Sequence, residues 1–260
     1  MKTRRSGSTS PDPASGFAAA LAVAAADPAL RKGERTRLGL LAAAARLLAR
    51  PGAEPGELQV AQVTAEAGVA LGTFYRYFPE RPAILEALVG AFAEFLGQRL
   101  AAARAGAPGS RARVAAATLA YVHHFRANPG LMRCLLDLAP ASAAWQASFR
   151  ALNRAWNGRV AAALAARHGG TAATQLPVAY ALGGMVDEFL ATLYLRRDPA
   201  LRTLARDEAK VAALLTDLWW RATAGATPTA APSAARSRPP RPAPAPRPSA
   251  GAAAGRRRPG

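Results

Sequence analysis

Gly68 separates two short stretches of helical pattern, and this division constrains the fold more than any other feature of the chain. Arg35 to Arg50 reads as one helix and Val60 to Ala67 as a second. Gly68 ends the second because a helix stop of this kind needs a positive φ, which only glycine adopts cheaply. Val69 is expected to bury its side chain under the turn and so fix the angle between the helices. A third short helix then runs to Phe78, crowded with aromatics, Thr and Arg. Phe74 and Phe78 are four residues apart and share one face; Gly72 and Arg76 share the opposite one, with Thr73 and Tyr75 on the flanks. The two rings are expected to anchor the helix from behind. Two short helices joined by a three-residue turn, the second carrying groups that bond phosphates and bases, form the helix-turn-helix layout. The residues point to a DNA-binding protein.

The run Gly68-Val69-Ala70-Leu71-Gly72-Thr73-Phe74-Tyr75-Arg76-Tyr77-Phe78, followed by Pro79-Glu80-Arg81-Pro82-Ala83-Ile84-Leu85, resembles the DNA-binding domain of the TetR family of bacterial regulators. The family pattern is Gly-Val-Ser-x-Gly-Thr-Leu-Tyr-x-Tyr-Phe, then a Lys and a Leu-rich helix. The resemblance covers about Arg35 to Leu88. Ala70 stands where the family has Ser or Thr, which removes a side-chain N-cap at a cost of about 1 kcal/mol. Thr64 replaces a usual Ala, Gln59 a usual Ser or Thr, and Arg81 a usual Lys, keeping its charge. At matching positions the resemblance implies that Thr73, Tyr75 and Tyr77 bond phosphates through their hydroxyls. It implies that Leu71, Gly72 and Arg76 face base edges, Arg76 with a guanidinium capable of bidentate bonds to guanine. Arg81 would clamp a phosphate, Gln62 and Thr64 would touch the flanking backbone, and Arg35 and Arg37 are further phosphate candidates.

Charge qualifies this picture. The formal net charge is +18, yet residues 35–99 carry seven basic and six acidic groups. DNA recognition there must rest on the placement of a few groups. The excess lies downstream: residues 100–221 carry fifteen basic and seven acidic groups, and residues 222–260 seven basic and no acidic ones. Of the basic residues only Lys2, Lys32 and Lys210 are Lys, which together with the Ala, Gly and Pro excess is the mark of a GC-rich genome.

Nothing in the sequence argues for catalysis or a cofactor. His123, His124 and His168 lack Cys or carboxylates at metal-ligand spacing, and no Ser-His-Asp pattern, phosphate loop or paired-carboxylate motif is present. Cys134 is alone and reads as a buried thiol. No apolar run is expected to be long enough to span a bilayer. Phe17 to Ala26 is the nearest thing to a leader, but a polar stretch separates it from the basic residues before it. A cytoplasmic protein is expected.

Beyond the helix-turn-helix the pattern stays helical, broken at Gly106 to Gly109, Asn128-Pro129-Gly130, Pro140, Gly169-Gly170 and Asp198-Pro199. The fold class is therefore all-α, with about nine helices and disordered termini. Residues 1–33 read as a flexible arm with room for a short Ala-rich helical turn, 34–82 as a three-helix helix-turn-helix domain, and 83–222 as a helical effector-binding and dimerisation domain. Residues 223–260, rich in Pro, Ala and Arg, form a tail that cannot repay its ordering entropy.

Leu182, Val186, Phe189 and Leu193 fall on one stripe, and Val211, Leu214, Leu215 and Leu218, extended by Trp219, on another; the Gly183-Gly184 pair permits close approach. These stripes pack either within one chain or, in the arrangement the resemblance implies, against the same pair of a second subunit. Tyr121, Phe125, Trp145, Phe149 and Met185 are large side chains in the middle helices. They read either as ordinary core or as the apolar effector pocket the resemblance implies, edged by His124 or another polar group. Taken together, a regulator is expected that binds a palindromic DNA operator as a homodimer and releases it on binding a small, apolar effector. The alternatives are a sequence-neutral architectural DNA binder and, for the C-terminal half alone, a helical enzyme or carrier.

Overall fold

A helical stretch that is apolar almost all round must be wrapped on every side, and the C-terminal half of the second helix of the chain has that composition. Leu40, Leu41, Ala42, Ala43, Ala44, Ala45, Leu47 and Leu48 are all buried. The computed structural model describes residues 16–103, 110–136 and 143–224, with side chains at all of these except 143–149, 151, 152 and 224. Among the described residues there are ten α-helices and no strand. They are α1 (Phe17–Ala25), α2 (Lys32–Leu48), α3 (Val60–Ala67), α4 (Leu71–Tyr77), α5 (Arg81–Ala102), α6 (Arg111–Ala127), α7 (Pro129–Leu136), α8 (Ala143–His168), α9 (Ala172–Leu190) and α10 (Glu208–Ala224).

The all-α class is as expected, and the tenth helix is α1. Residues 17–25 lie within the stretch read as a flexible arm with a short Ala-rich helical turn, and the structure makes that turn a nine-residue docked helix. Phe17 and Leu21 are buried, and the Phe17 ring packs against Phe92 (centroids 5.2 Å) and Phe95 (5.3 Å) on α5. The composition of α1 is mostly Ala, which hides how much one well-placed ring contributes to docking. The expected N-cap at Ser110 is present, its hydroxyl accepting from the Arg113 N–H at 3.2 Å. The final helix starts later than expected. Residues 199–206 form two short 3-10 turns, Pro199–Leu201 and Leu204–Arg206, before α10. At its other end α10 runs through Ala224, and Thr223 is buried with its hydroxyl donating to the Trp219 carbonyl at 3.0 Å. The rest of the expected tail, 225–260, lies outside the described residues, as do residues 1–15.

One expectation about membranes is also corrected. α9 continues through a π turn at Ala191–Leu195, and this 24-residue stretch is long and apolar enough to cross a bilayer by length and composition. Its most apolar window is 39% buried against the rest of the chain. Leu182, Val186 and Leu190 make it a core helix of the fold.

Two elements join the N-terminal helices to the rest. α5 carries Ile84, Leu88, Phe92, Phe95 and Leu100 into the common core. α7 meets the end of α2 at Gly130, where a Cβ would lie 2.6 Å from the Leu48 carbonyl oxygen. Arg133 of α7 pairs with Glu54 (Nε–Oε1 3.3 Å) and donates to the Leu195 carbonyl at 2.9 Å, so it spans both halves. Gly130→Ala should therefore push α7 off α2 and lower stability by about 1–3 kcal/mol, as overpacking does. Gly184→Ala, where a Cβ meets nothing within 4 Å, serves as control. Thermal unfolding should separate the two; equal midpoints would count against the contact.

Candidate nucleic-acid interface

The turn is built as its residues dictate. Gly68 has φ 67° and ψ 34°, the left-handed conformation. Its N–H bonds the Ala65 carbonyl (3.2 Å), and the Val69 N–H bonds that of Thr64 (3.0 Å). Val69 is partly buried against the core. α4 then begins at Leu71 without a side-chain cap, since Ala70 has none to give; the Thr73 N–H reaches the Ala70 carbonyl at 2.9 Å instead. Phe74 and Phe78 are buried, their centroids 5.7 Å apart, and they hold the helix from behind.

The opposite face is open. Leu71 is 52% and Tyr75 53% exposed. Arg76 is exposed and has no ion-pair partner among the described residues. A Cβ added at Gly72 would meet nothing within 4 Å, so a partner can approach the backbone there. Thr73 and Tyr77 are half-buried at the edges. The Tyr77 hydroxyl lies 3.5 Å from where a Cβ on Gly33 would stand, which places it beside the start of α2.

α3 is clamped to α2 by charge. Glu66 accepts from Arg46 Nε at 2.7 Å and Arg50 Nη2 at 3.2 Å. The Arg46 hydrogen bond, with the fields of both guanidiniums, holds the Glu66 carboxyl below its ordinary range against some desolvation. This clamp turns Thr64 inward. It is 5% exposed and its hydroxyl donates to the Ala61 carbonyl at 3.0 Å, so it has no surface to offer a phosphate; this corrects the expectation for that residue. Gln62 is exposed, and its Oε1 caps α3 by accepting the Gln59 N–H at 3.2 Å.

The remaining candidates divide. Arg35 is exposed and lines a hollow of about 260 Å³ together with Lys32, Thr36 and Val69. Arg37 is exposed, with its guanidinium 5.2 Å from the Phe78 ring centroid, a cation–π contact. Arg81 donates to the Gly56 carbonyl, tying the loop before α3 to the start of α5, so its guanidinium is partly engaged within the protein. Lys32 is a further cation of this surface that the sequence pattern does not single out. Its position in the first turn of the helix that carries Arg35 is the available signal.

In the C-terminal half the structure brings together Tyr121, His124 and Phe125. The Tyr121 hydroxyl donates to Asp187 Oδ1 at 2.6 Å. Burial pushes the Asp187 carboxyl above its ordinary range, partly offset by that bond. Burial, with the Asp187 charge, also raises the Tyr121 hydroxyl well above its own. His124 is buried edge-on to Phe95 (5.3 Å). Desolvation, with the charges of His123 and Arg99, lowers its pKa to about 4, so it is neutral at pH 7. Phe125 is fully buried core. Met185 departs from the expected pocket, being 36% exposed on the outer face of α9. The side chains of Trp145 and Phe149 lie outside the described residues. Neither the hollow beside Arg35 nor a larger cavity between α2 and α9 is lined by any of these six.

Most of the residues expected at a dimer interface pack inside the chain instead. Leu182 joins Ala161, Leu164 and Ala179 in a small core. Val186, Leu193, Val211 and Leu215 are buried in the main one, with Phe189 partly buried against it. Gly183 is half-buried, a Cβ there lying 3.5 Å from Asn157 Oδ1. Only Leu214 and Leu218 are exposed, at 39% and 41%. The periodicity is present but faces the other way: both faces of α9 are apolar, and spacing alone does not say which one the chain itself covers. The exposed large apolar residues of α9 are Tyr180 and Met185.

Comparison with known proteins bears on the helix-turn-helix by sequence and on most of the chain by fold. Residues 40–88 match the model of a family described as bacterial regulatory proteins, tetR family. Two solved structures share the fold. One is a tetR-family transcriptional regulator from Streptomyces coelicolor, 20% identical, with TM-score 0.56, covering 74% of this chain and 83% of that one. The other is a Pseudomonas aeruginosa PAO1 protein assigned as a transcriptional regulator, 21% identical, with TM-score 0.54, covering 76% of this chain and 94% of that one. The search of curated proteins found no match.

Proposed function

We propose, for a chain whose residues 40–88 belong to the tetR family of bacterial regulatory proteins, that it is a cytoplasmic, non-enzymatic transcriptional repressor. It binds a palindromic operator as a homodimer and leaves it when a small effector binds the C-terminal half. The observation that carries this reading is the face of α4. Leu71, Gly72, Tyr75 and Arg76 stand free in front of two buried rings, in a helix short enough to enter a major groove end-on. Arg35, Arg37 and Lys32 at the start of α2 supply further cations for the flanking phosphates. One seven-residue helix reads too few bases for an address, so two copies related by a two-fold axis are needed. Tyr180 and Met185 on α9, with Leu214 and Leu218 on α10, are the exposed apolar groups suited to join them.

Release requires only that the effector bind one state better than the other. α5 and α7 are the carriers of that difference, since both touch α2 and the C-terminal core. Selection of bound sequences from random duplexes by the purified protein tests the reading. Enrichment of a palindrome with half-sites a helical turn or a multiple apart is expected, lost in a Leu214→Glu/Leu218→Glu variant that light scattering shows to be monomeric. Equal affinity for all sequences would replace this reading with the architectural one.

A further inference from the structure

A cavity of about 430 Å³ opens where the end of α2 meets the end of α9. Ala49 and Pro51 contribute one wall, Pro129 at the start of α7 another, and Leu193 to Arg206 most of the rest. Four arginines are among its lining residues, Arg126, Arg197, Arg202 and Arg206, together with the acidic Asp198, while the carboxylates of Glu208 and Asp207 act on the Tyr194 hydroxyl of the lining. Arg126 is already paired with Glu208 (Nη1–Oε1 3.1 Å). Asp198 is engaged with the backbone, accepting the Ala200 N–H at 2.8 Å. Among the described residues Arg197, Arg202 and Arg206 have no carboxylate partner. Three unpaired cations around one concavity repel each other, and the low-dielectric walls concentrate their field inside it.

Two backbone irregularities shape the site. The π turn at Ala191–Leu195, closed by the Arg196 N–H on the Ala191 carbonyl at 2.9 Å, alters the helical phase where Leu193 and Tyr194 join the lining. Arg197 then adopts φ 55°, the left-handed residue that ends the helix, with the Asp198 N–H on the Thr192 carbonyl at 3.2 Å. The lining also contains an unmet hydrogen bond. Tyr194 is 8% exposed, and its hydroxyl has no hydrogen-bond partner among the described residues. A buried hydroxyl in that condition is unfavourable until an acceptor arrives.

We propose that this cavity binds a small multivalent oxyanion, a phosphorylated or polycarboxylate molecule, held by Arg197, Arg202 and Arg206 and oriented by the Tyr194 hydroxyl. Planar guanidiniums pair bidentately with both phosphate and carboxylate, so the two ligand types share one chemistry here. The bound anion cancels the mutual repulsion of the three arginines and draws the 199–206 turns toward Ala49 and Pro51. The site thereby reports to the end of α2, whose other end carries Arg35. It adjoins the cluster around Tyr121 through Phe125, whose ring centroid lies 6.3 Å from that of Tyr194, and it stands whether or not the operator reading does.

The anion titrations use the full chain without DNA, and duplex binding is measured separately. Inorganic pyrophosphate and citrate are titrated separately by calorimetry at constant ionic strength. Saturable binding of either supports the site, pyrophosphate pointing to phosphate esters and citrate to polycarboxylates. Arg202→Gln/Arg206→Gln should weaken binding about a hundredfold, roughly tenfold for each lost charge-assisted bond. Tyr194→Phe should weaken it about tenfold without lowering the thermal midpoint, because its hydroxyl has no bond to lose. Arg221→Gln, which removes an exposed charge on α10, should bind as wild type does. Unsaturable heat, or equal binding by all four proteins, overturns the proposal. So does a double variant that keeps its anion affinity but loses duplex DNA, since the arginines would then serve the nucleic acid.

Discussion

Phe74→Ala is expected to destabilise the protein by about 3–5 kcal/mol and to abolish sequence-specific DNA binding. Phe74 is fully buried, touches Phe78, and belongs to the same core as Leu41, Val63 and Leu88. α4 has seven residues, far fewer than the roughly 12–15 at which a helix becomes marginal by itself. It also starts without a side-chain cap. The helix therefore exists only because its back is docked, and one ring supplies the centre of that docking. Denaturant titration should show the loss of stability, and gel shifts the loss of binding. Phe74→Leu should recover most of both. Ala70→Ser, which restores the missing cap, should act in the other direction by about 1 kcal/mol. Phe74→Ala with wild-type stability would mean that α4 is held by something other than its rings.

The contrast between α4 and α9 explains what could be read from the sequence. On α4 the pattern was decisive, because one face holds two phenyl rings and the other glycine, a guanidinium and a phenol. The turn was equally legible, since Gly68 has one conformational reason to be there. α9 carries apolar residues on both sides. Spacing identified Leu182, Val186 and Leu193 as a stripe, but whether that stripe meets α8, α10 or another chain depends on contacts distant in sequence. The docking of α1 is not legible for a related reason, as an Ala-rich segment has no evident polarity until Phe17 finds Phe92 and Phe95. Thr64 shows the limit of transferring a role by position: the Arg46–Glu66–Arg50 clamp fixes the rotation of α3 and turns Thr64 inward. The arginine-lined cavity is not legible because its residues come from three separate segments, and general arginine richness masks their convergence.

Arg76→Ala should cost the dimer more affinity than any other change on the exposed face of α4, while leaving the fold untouched. Arg76 is exposed and without an ion-pair partner among the described residues, so its loss should alter stability by no more than about 0.5 kcal/mol. A bidentate bond to guanine discriminates by about 1–3 kcal/mol, and a two-fold dimer places two such arginines on one operator. The expected penalty is therefore about 2–6 kcal/mol, roughly 30-fold to ten-thousand-fold in Kd, with affinity for unrelated DNA little changed. Arg76→Lys should fail to restore it, because an ammonium lacks the planar fork. Tyr75→Phe offers the contrast. Losing a phosphate contact weakens operator and random DNA alike, so the ratio between them should hold. Competition gel shifts with both duplexes measure that ratio directly. An Arg76→Ala protein that prefers its operator as strongly as wild type would show that the guanidinium reads no base, and specificity would then have to come from Leu71, Gly72 and the shape of the groove.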